Sequence, residues 1–204
     1  MKDIGMAATD AERQLEGAIH KIEAWKGQIR YRPVSGGISN VNFRVEVESA
    51  SHDYFVKIPG RGTEMFIDRK AACAASRQAE TIGVGPRTFD YLDHEGIEIA
   101  EFVEDRRPST HADFIDPTVR AEAVRLYRLF HQAPPLPLTK TVFDMIDEHY
   151  DQVKQLGGFL PEDHDWLTWQ YRQARAALEA AGLDLVPCFN DPMPGNFLLG
   201  ADKS

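Results

Sequence analysis

The sequence predicts an α+β protein in two parts, a mainly antiparallel sheet carrying one inserted helix over residues 1–103 and a largely helical segment over 104–204. Strict alternation is the first sign: Val41, Phe43, Val45 and Val47 oppose Asn42, Arg44 and Glu46, the period of a half-buried strand. A second extended run, Tyr54 to Ile58, follows the short polar stretch from Glu48 to Asp53, as in a hairpin of antiparallel neighbours. The third sign is a change of period after residue 110. Val119, Ala123, Leu126, Tyr127 and Phe130 form one helical stripe, and Leu167, Tyr171, Ala174, Leu178 and Ala181 form another that Gly182 ends.

The remaining elements follow in order. The N-terminal residues read as a mixed polar segment with no apolar leader of about 7–15 residues. A helix is expected from Thr63 to Gly83, with Ile67, Ala71, Ala74, Ala75 and Ile82 on its apolar side and Pro86 preventing its continuation. Thr88 to Leu92 and Ile97 to Phe102 read as strands around the turn-like stretch from Asp93 to Gly96. The polar segment from Glu104 to Thr110, with Pro108 inside it, reads as a connection between the two parts. A Pro-rich run from Pro134 to Pro137 precedes a shorter helix near Phe143 to Val153.

Composition limits the partners. With 204 residues, 43% of them hydrophobic, the chain has enough apolar material for a substantial core. A net charge of −9 without a Lys/Arg cluster argues against non-specific binding to nucleic acid or to an anionic membrane. Cys73 and Cys188 stand far apart and outside any C-x-x-C pattern, which suits a reducing cytoplasm better than a disulfide or zinc scaffold. No run approaches the ~18 apolar residues of a membrane span.

Three groups of residues are suited to chemistry. Gly36, Gly37, Ser39 and Asn40 lie where one strand turns into the next, and such a loop brings unhindered backbone N–H groups against phosphate oxygens, although a Gly-Gly pair also serves as a plain hairpin turn. Lys57 sits in an apolar strand between Val56 and Ile58, from which a long cation reaches into a cleft or snorkels to the surface. The third group is the segment Cys188-Phe189-Asn190-Asp191-Pro192-Met193-Pro194-Gly195-Asn196-Phe197-Leu198-Leu199. Its prolines and glycine restrict the loop, while Asp191 and Asn196 keep the D-x-x-x-x-N spacing of kinase catalytic loops. A carboxylate at the first position accepts the proton of an attacking hydroxyl, and an amide oxygen at the second ligates Mg²⁺; both residue types also cap turns.

Taken together, Gly-Gly-Ile-Ser-Asn-Val-Asn-Phe (36–43), Phe-Val-Lys-Ile-Pro-Gly-Arg-Gly-Thr-Glu (55–64), Ile-Asp-Arg (67–69), Gly-Val-Gly-Pro (83–86) and Asn-Asp-Pro-Met-Pro-Gly-Asn-Phe-Leu (190–198) resemble the choline kinase and aminoglycoside phosphotransferase family, in its bacterial choline kinase-like branch. The resemblance implies a two-lobed protein-kinase-like fold with ATP between the sheet and the helices. It implies that Lys57 meets the α- and β-phosphates, that Glu101 to Val103 offer backbone hinge contacts to adenine, that Asp191 is the base and that Asn196 is a ligand to Mg²⁺. The implied acceptor is a small-molecule alcohol, a cationic amino alcohol such as choline first, with an aminoglycoside or another metabolite as the alternative.

Three departures from that pattern stand out. The family places a metal-holding aspartate beyond the catalytic loop, whereas this sequence reaches Ser204 first, and Asp202 reads as a loop residue. Phe189 stands where the family has a histidine that braces the loop. Ala72 stands where many members have the helix glutamate that pairs with the strand lysine; Glu64 and Glu80 are candidates to compensate, although a solvated helix face suits both better. These departures sustain a second reading, a nucleotide-binding module without catalysis. His131, and the Trp166 and Trp169 pair, read as structural packing residues.

Overall fold

The computed structural model describes residues 1–37 and 39–201. Asp202, read above as a loop residue, lies outside them. The chain forms two compact units, one of residues 1–134 with 188–204 and one of residues 135–187. This grouping by compactness does not coincide with the 103/104 boundary suggested by composition, because the polar segment expected to be a bare connection is tied back into a second small sheet.

In the first unit the strands β1 (Lys2–Asp3), β2 (Ile29–Val34), β3 (Asn40–Val47), β4 (Tyr54–Pro59), β5 (Thr88–Leu92) and β6 (Ile97–Glu101) make a six-stranded antiparallel sheet in the order β1-β2-β3-β4-β6-β5. The alternation read in the sequence sets which face each side chain takes. Phe43, Val45, Val56, Ile58, Ile97 and Ile99 turn to one face, where they bury against Leu15, Ala18 and Ile19 of α1 (Asp10–Ile19). The polar partners of those residues therefore occupy the other face, and there Asn42 lies opposite Lys57, and Lys57 opposite Glu98.

Helix α1 was concealed by the polar reading of the N-terminus. It starts with a capping box, in which Thr9 accepts from the Glu12 amide at 3.2 Å and Glu12 accepts from the Thr9 amide at 3.0 Å. Helix α2 (Arg69–Thr81) begins later than the expected Thr63, because Asp68 caps the Ala71 amide at 2.9 Å while Thr63 to Met65 form a separate 3₁₀ turn. It ends as expected near Gly83, which adopts φ 73°. Its inward side is formed by Cys73 and Ser76 rather than by the alanines alone.

After the sheet, β7 (Arg106–Pro108) pairs antiparallel with β8 (Leu198–Gly200), and α3 (Pro117–His131) lies between them in sequence. Pro117 at the first turn and the Asp116 carboxylate, which accepts from the Thr118 amide at 2.8 Å, start α3. Val119, Ala123 and Phe130 of the expected stripe are buried.

The second unit holds α4 (Val142–Gln155) and α5 (His164–Ala181). Tyr171 of α5 donates to the Asp147 carboxylate at 2.9 Å and to the Phe143 carbonyl at 3.1 Å, and Arg175 reaches Asp147 at 2.5 Å. The expected stripe on α5 is not a buried core stripe. Trp166 and Trp169, read as packing residues, are each 56% exposed, since no residue of α5 is fully buried. Among the described residues no helix is long and apolar enough to cross a membrane.

Candidate functional site

The glycine loop joins β2 to β3. Gly36 and Gly37 have φ of 110° and 89°, a region that favours glycine, and a Cβ on Gly37 would stand 3.1 Å from the Asn42 amide nitrogen. Asn42 donates to the Gly36 carbonyl at 3.0 Å, so the loop is anchored beside the strand row that contains Lys57. Ser39 accepts from the Gly60 amide at 2.9 Å, and a side chain on Gly60 would meet that same carbonyl. The side chain of Asn40 accepts from Arg69 at 2.8 Å, which ties the loop to the start of α2.

Lys57 projects from β4 on the face opposite α1. Its ammonium donates to Glu98 of β6 at 3.2 Å, and the other oxygen of that carboxylate accepts from Ser76 of α2 at 3.2 Å. Neither of the carboxylates considered at sequence level takes this place. Glu80 accepts from the Thr88 amide at 2.9 Å, and Glu64 is exposed on the 3₁₀ turn. The Cys73 thiol lies close enough to feel both charges, and burial pushes its pKa up.

At the end of β6, the amides of Glu101 and Phe102 are already used, donating to the carbonyls of Arg87 at 2.8 Å and Asp53 at 3.0 Å. The Val103 amide remains without a protein partner among the described residues.

The loop with Asp191 and Asn196 is held from several sides. Ser109, 5% exposed, donates its hydroxyl to the Pro194 carbonyl at 2.5 Å and its amide to the Phe197 carbonyl at 2.8 Å. Pro194 to Asn196 form a 3₁₀ turn that runs into β8. The five-residue spacing then brings the two side chains together: the Asn196 amide nitrogen donates to both the Asp191 carbonyl and its carboxylate, each at 2.9 Å. Both residues are exposed. With its nitrogen committed to Asp191, Asn196 keeps its amide oxygen for another partner.

Phe189 packs 6.1 Å from the Tyr127 ring, centroid to centroid, and Phe197 packs 5.9 Å from it. Thus α3 supports the loop through aromatic contacts, with His131 a further 6.0 Å from Tyr127. The buried Tyr127 hydroxyl has no hydrogen-bond partner among the described residues, and burial, followed by the Asp191 charge, raises its pKa.

Among the described residues, open hollows of about 290 Å³ lie near Asp68, Arg69 and Gly96 and near Gln14, Lys21 and Ile97. None of Lys57, Asp191 and Asn196 lines either. Among the described residues no group of three or more His, Cys, Asp or Glu side chains is gathered to hold a metal ion. The Asp191 carboxylate and the Asn196 amide oxygen are nevertheless oxygen donors of the type that Mg²⁺ takes when nucleotide phosphates complete its shell.

The Phosphotransferase enzyme family matches residues 30–204. The chain belongs to this family. Among curated relatives, ethanolamine kinase of Saccharomyces cerevisiae is 22% identical over 208 residues, covering 85% of this chain and 38% of that protein. A choline/ethanolamine kinase family protein from Mesorhizobium loti superposes with a TM-score of 0.68 at 23% identity, covering 90% of this chain and 60% of that one. The choline kinase LicA of Streptococcus pneumoniae gives 0.74 at 18% identity, covering 96% and 66% of the two chains, and LicA is also known in complex with AMP. This phosphotransferase-family chain thus has the kinase-like fold of a sheet lobe with helices, and it spans well under two thirds of the length of the yeast relative.

The sequence singled out Lys57, Asp191 and Asn196 as a candidate site. Glu98, Ser76, Ser109, Asn42 and Tyr127 were missed as its supports. The Glu98 signal was present, since an acid interrupts the apolar run Ile97-Glu98-Ile99-Ala100, but its partner is 41 residues away.

Proposed function

We propose that this protein transfers the γ-phosphoryl group of ATP to a hydroxyl of choline or a related amino alcohol. The observation that carries the reading is the pairing of Asp191 with Asn196 at 2.9 Å inside a family match that covers residues 30–204. In the transfer, the acceptor oxygen forms a bond to the γ-phosphorus, the bond from that phosphorus to the β–γ bridging oxygen breaks, and ADP leaves. Asp191 accepts the hydroxyl proton. Lys57 meets the α- and β-phosphates, Gly36, Gly37, Ser39 and Asn40 cover them, and the backbone from Glu101 to Val103 receives adenine. The Asn196 amide oxygen would help to hold Mg²⁺, which when bound would supply neutralisation of the phosphate charge. The proposed nucleotide-binding part is residues 1–103, and residues 104–204 are the proposed helical part.

The fold shared with choline kinases supports a cationic amino alcohol as acceptor, and an aminoglycoside or another metabolite is the alternative within the class. The reducing cytoplasm, rich in ATP and Mg²⁺, is the proposed setting. It also suits the two free cysteines. Neither nucleic acid nor membrane is a proposed partner.

The test is phosphotransfer from Mg-ATP to choline, ethanolamine and an aminoglycoside, alongside thermal denaturation with nucleotide in the presence and absence of Mg²⁺. Product with an amino alcohol supports the reading, and product only with the aminoglycoside moves the acceptor. Phe189 and Ala72 favour one other reading, a non-catalytic nucleotide-binding module. Stabilisation by nucleotide with no product from any acceptor would establish it. Lys57→Ala weakens nucleotide binding in either case.

A further inference from the structure

Lys57 emerges from the sheet without the helix glutamate that such a lysine ordinarily pairs with, because position 72 of α2 is alanine and is exposed. An unpaired lysine on a flexible four-carbon stem samples many rotamers, and a phosphate-binding cation needs one of them. Here the cation has a different anchor. Glu98 stands directly across from it in the β4–β6 register and accepts from it at 3.2 Å.

Glu98 is itself fixed. It is flanked in the strand by buried Ile97 and Ile99, its side chain is 11% exposed, and its second oxygen accepts from Ser76 at 3.2 Å. A carboxylate so enclosed is costly unless it is paired and hydrogen-bonded, so a strand position that needed only packing would hold an apolar residue. The exposure gradient matters as well. The Lys57 side chain is 38% exposed while Glu98 is covered, which places the anion behind the cation and the cation towards solvent. An ammonium has three N–H donors, so one bond to Glu98 leaves two for phosphate oxygens.

We propose that Glu98, held by Ser76 of α2, is the positioning residue for Lys57, so that the carboxylate anchor of this site comes from strand β6 rather than from the helix. This inference rests on the kinase reading given above. A consequence is that α2 is coupled to the lysine through a hydroxyl on Glu98 rather than through a charge of its own.

The experiment measures kcat and KM for Mg-ATP, with the best acceptor, in the full chain and in Glu98→Gln, Lys57→Met and the double variant. Glu98→Gln is expected to lower kcat roughly tenfold while KM for ATP moves less than about threefold, as for a group that orients rather than binds. In the Lys57→Met background the same change is expected to alter kcat less than about twofold, because the anchor then has nothing to hold. Equal losses in both backgrounds would overturn the inference and leave the kinase reading standing. If Glu98→Gln fails to fold, Ser76→Ala takes its place: kcat falls about threefold while Ser76→Thr, which keeps the hydroxyl, retains it, and a Ser76→Ala enzyme as active as the original overturns the inference. A parent chain with neither turnover nor nucleotide binding removes the kinase reading and this inference together.

Discussion

At residue scale, the acid and amide of the 188–197 loop answer to different tests from the groups that support them. Asp191→Asn removes the proton acceptor while an amide still fits beside Asn196, so kcat is expected to fall by roughly 10²–10⁴-fold with the nucleotide Kd within about twofold of the original. Steady-state kinetics paired with calorimetric ADP titration checks both halves. Tyr127 gives the opposite kind of expectation. Its hydroxyl is buried and unpartnered among the described residues, so Tyr127→Phe is expected to leave the melting temperature unchanged or to raise it, with a gain of at most about 1 kcal/mol. A lowered melting temperature would mean that the hydroxyl has a partner, with the catalytic loop the first place to look.

At the scale of elements, the loop depends on a serine that lies 85 residues earlier in the chain. Ser109 spans the start of the small β7–β8 sheet and the 3₁₀ turn that carries Asn196, through one hydroxyl and one amide bond. Ser109→Ala removes the hydroxyl bond and leaves a covered carbonyl unpaired, which costs about 1 kcal/mol. The expected result is a lower urea midpoint with hydrogen-exchange protection lost first at the Asn196 amide, which donates to the Met193 carbonyl at 3.0 Å. Loss spread evenly over the sheet would count against a local role. The same scale explains the early start assigned to α2. Its apolar spacing continues back past Asp68, but the Asp68 cap stops the helix there, and a local side-chain bond of that kind outweighs periodicity.

At the scale of the whole molecule, one acid-sensitive contact is Glu12, which links β1, the loop before α1 and the helix itself. Its carboxylate accepts from Lys2 at 2.5 Å and from the amides of Ala8 and Thr9 at 2.7 and 3.0 Å. The Lys2 bond, then the Ala8 amide, hold its pKa down to about 2 from an ordinary 4.5. A folded-state pKa below the unfolded value contributes stability that is fully present above pH ~4.5 and is lost as pH falls towards 2, at most ~3 kcal/mol. Urea unfolding from pH 6 to pH 2.5 is therefore expected to lose less stability in Glu12→Gln, which starts lower, than in the original chain. Parallel losses in the two proteins would remove Glu12 from the acid response.

The strands β3 to β6, the stripe on α3, the glycine loop and the Asp191–Asn196 spacing were determined by the sequence, because each rests on neighbours within a few residues and on backbone preferences that act locally. Helix α1 was determined there too, in the Thr9-x-x-Glu12 signal, although the polar composition around it hid it. Only the tertiary structure decided which carboxylate meets Lys57, that residues 106–108 pair with 198–200, and that Trp166 and Trp169 stay exposed. Those outcomes join or separate groups far apart along the chain. Periodicity names a face without naming what covers it, and a cation in a strand does not reveal which distant acid the fold brings across from it.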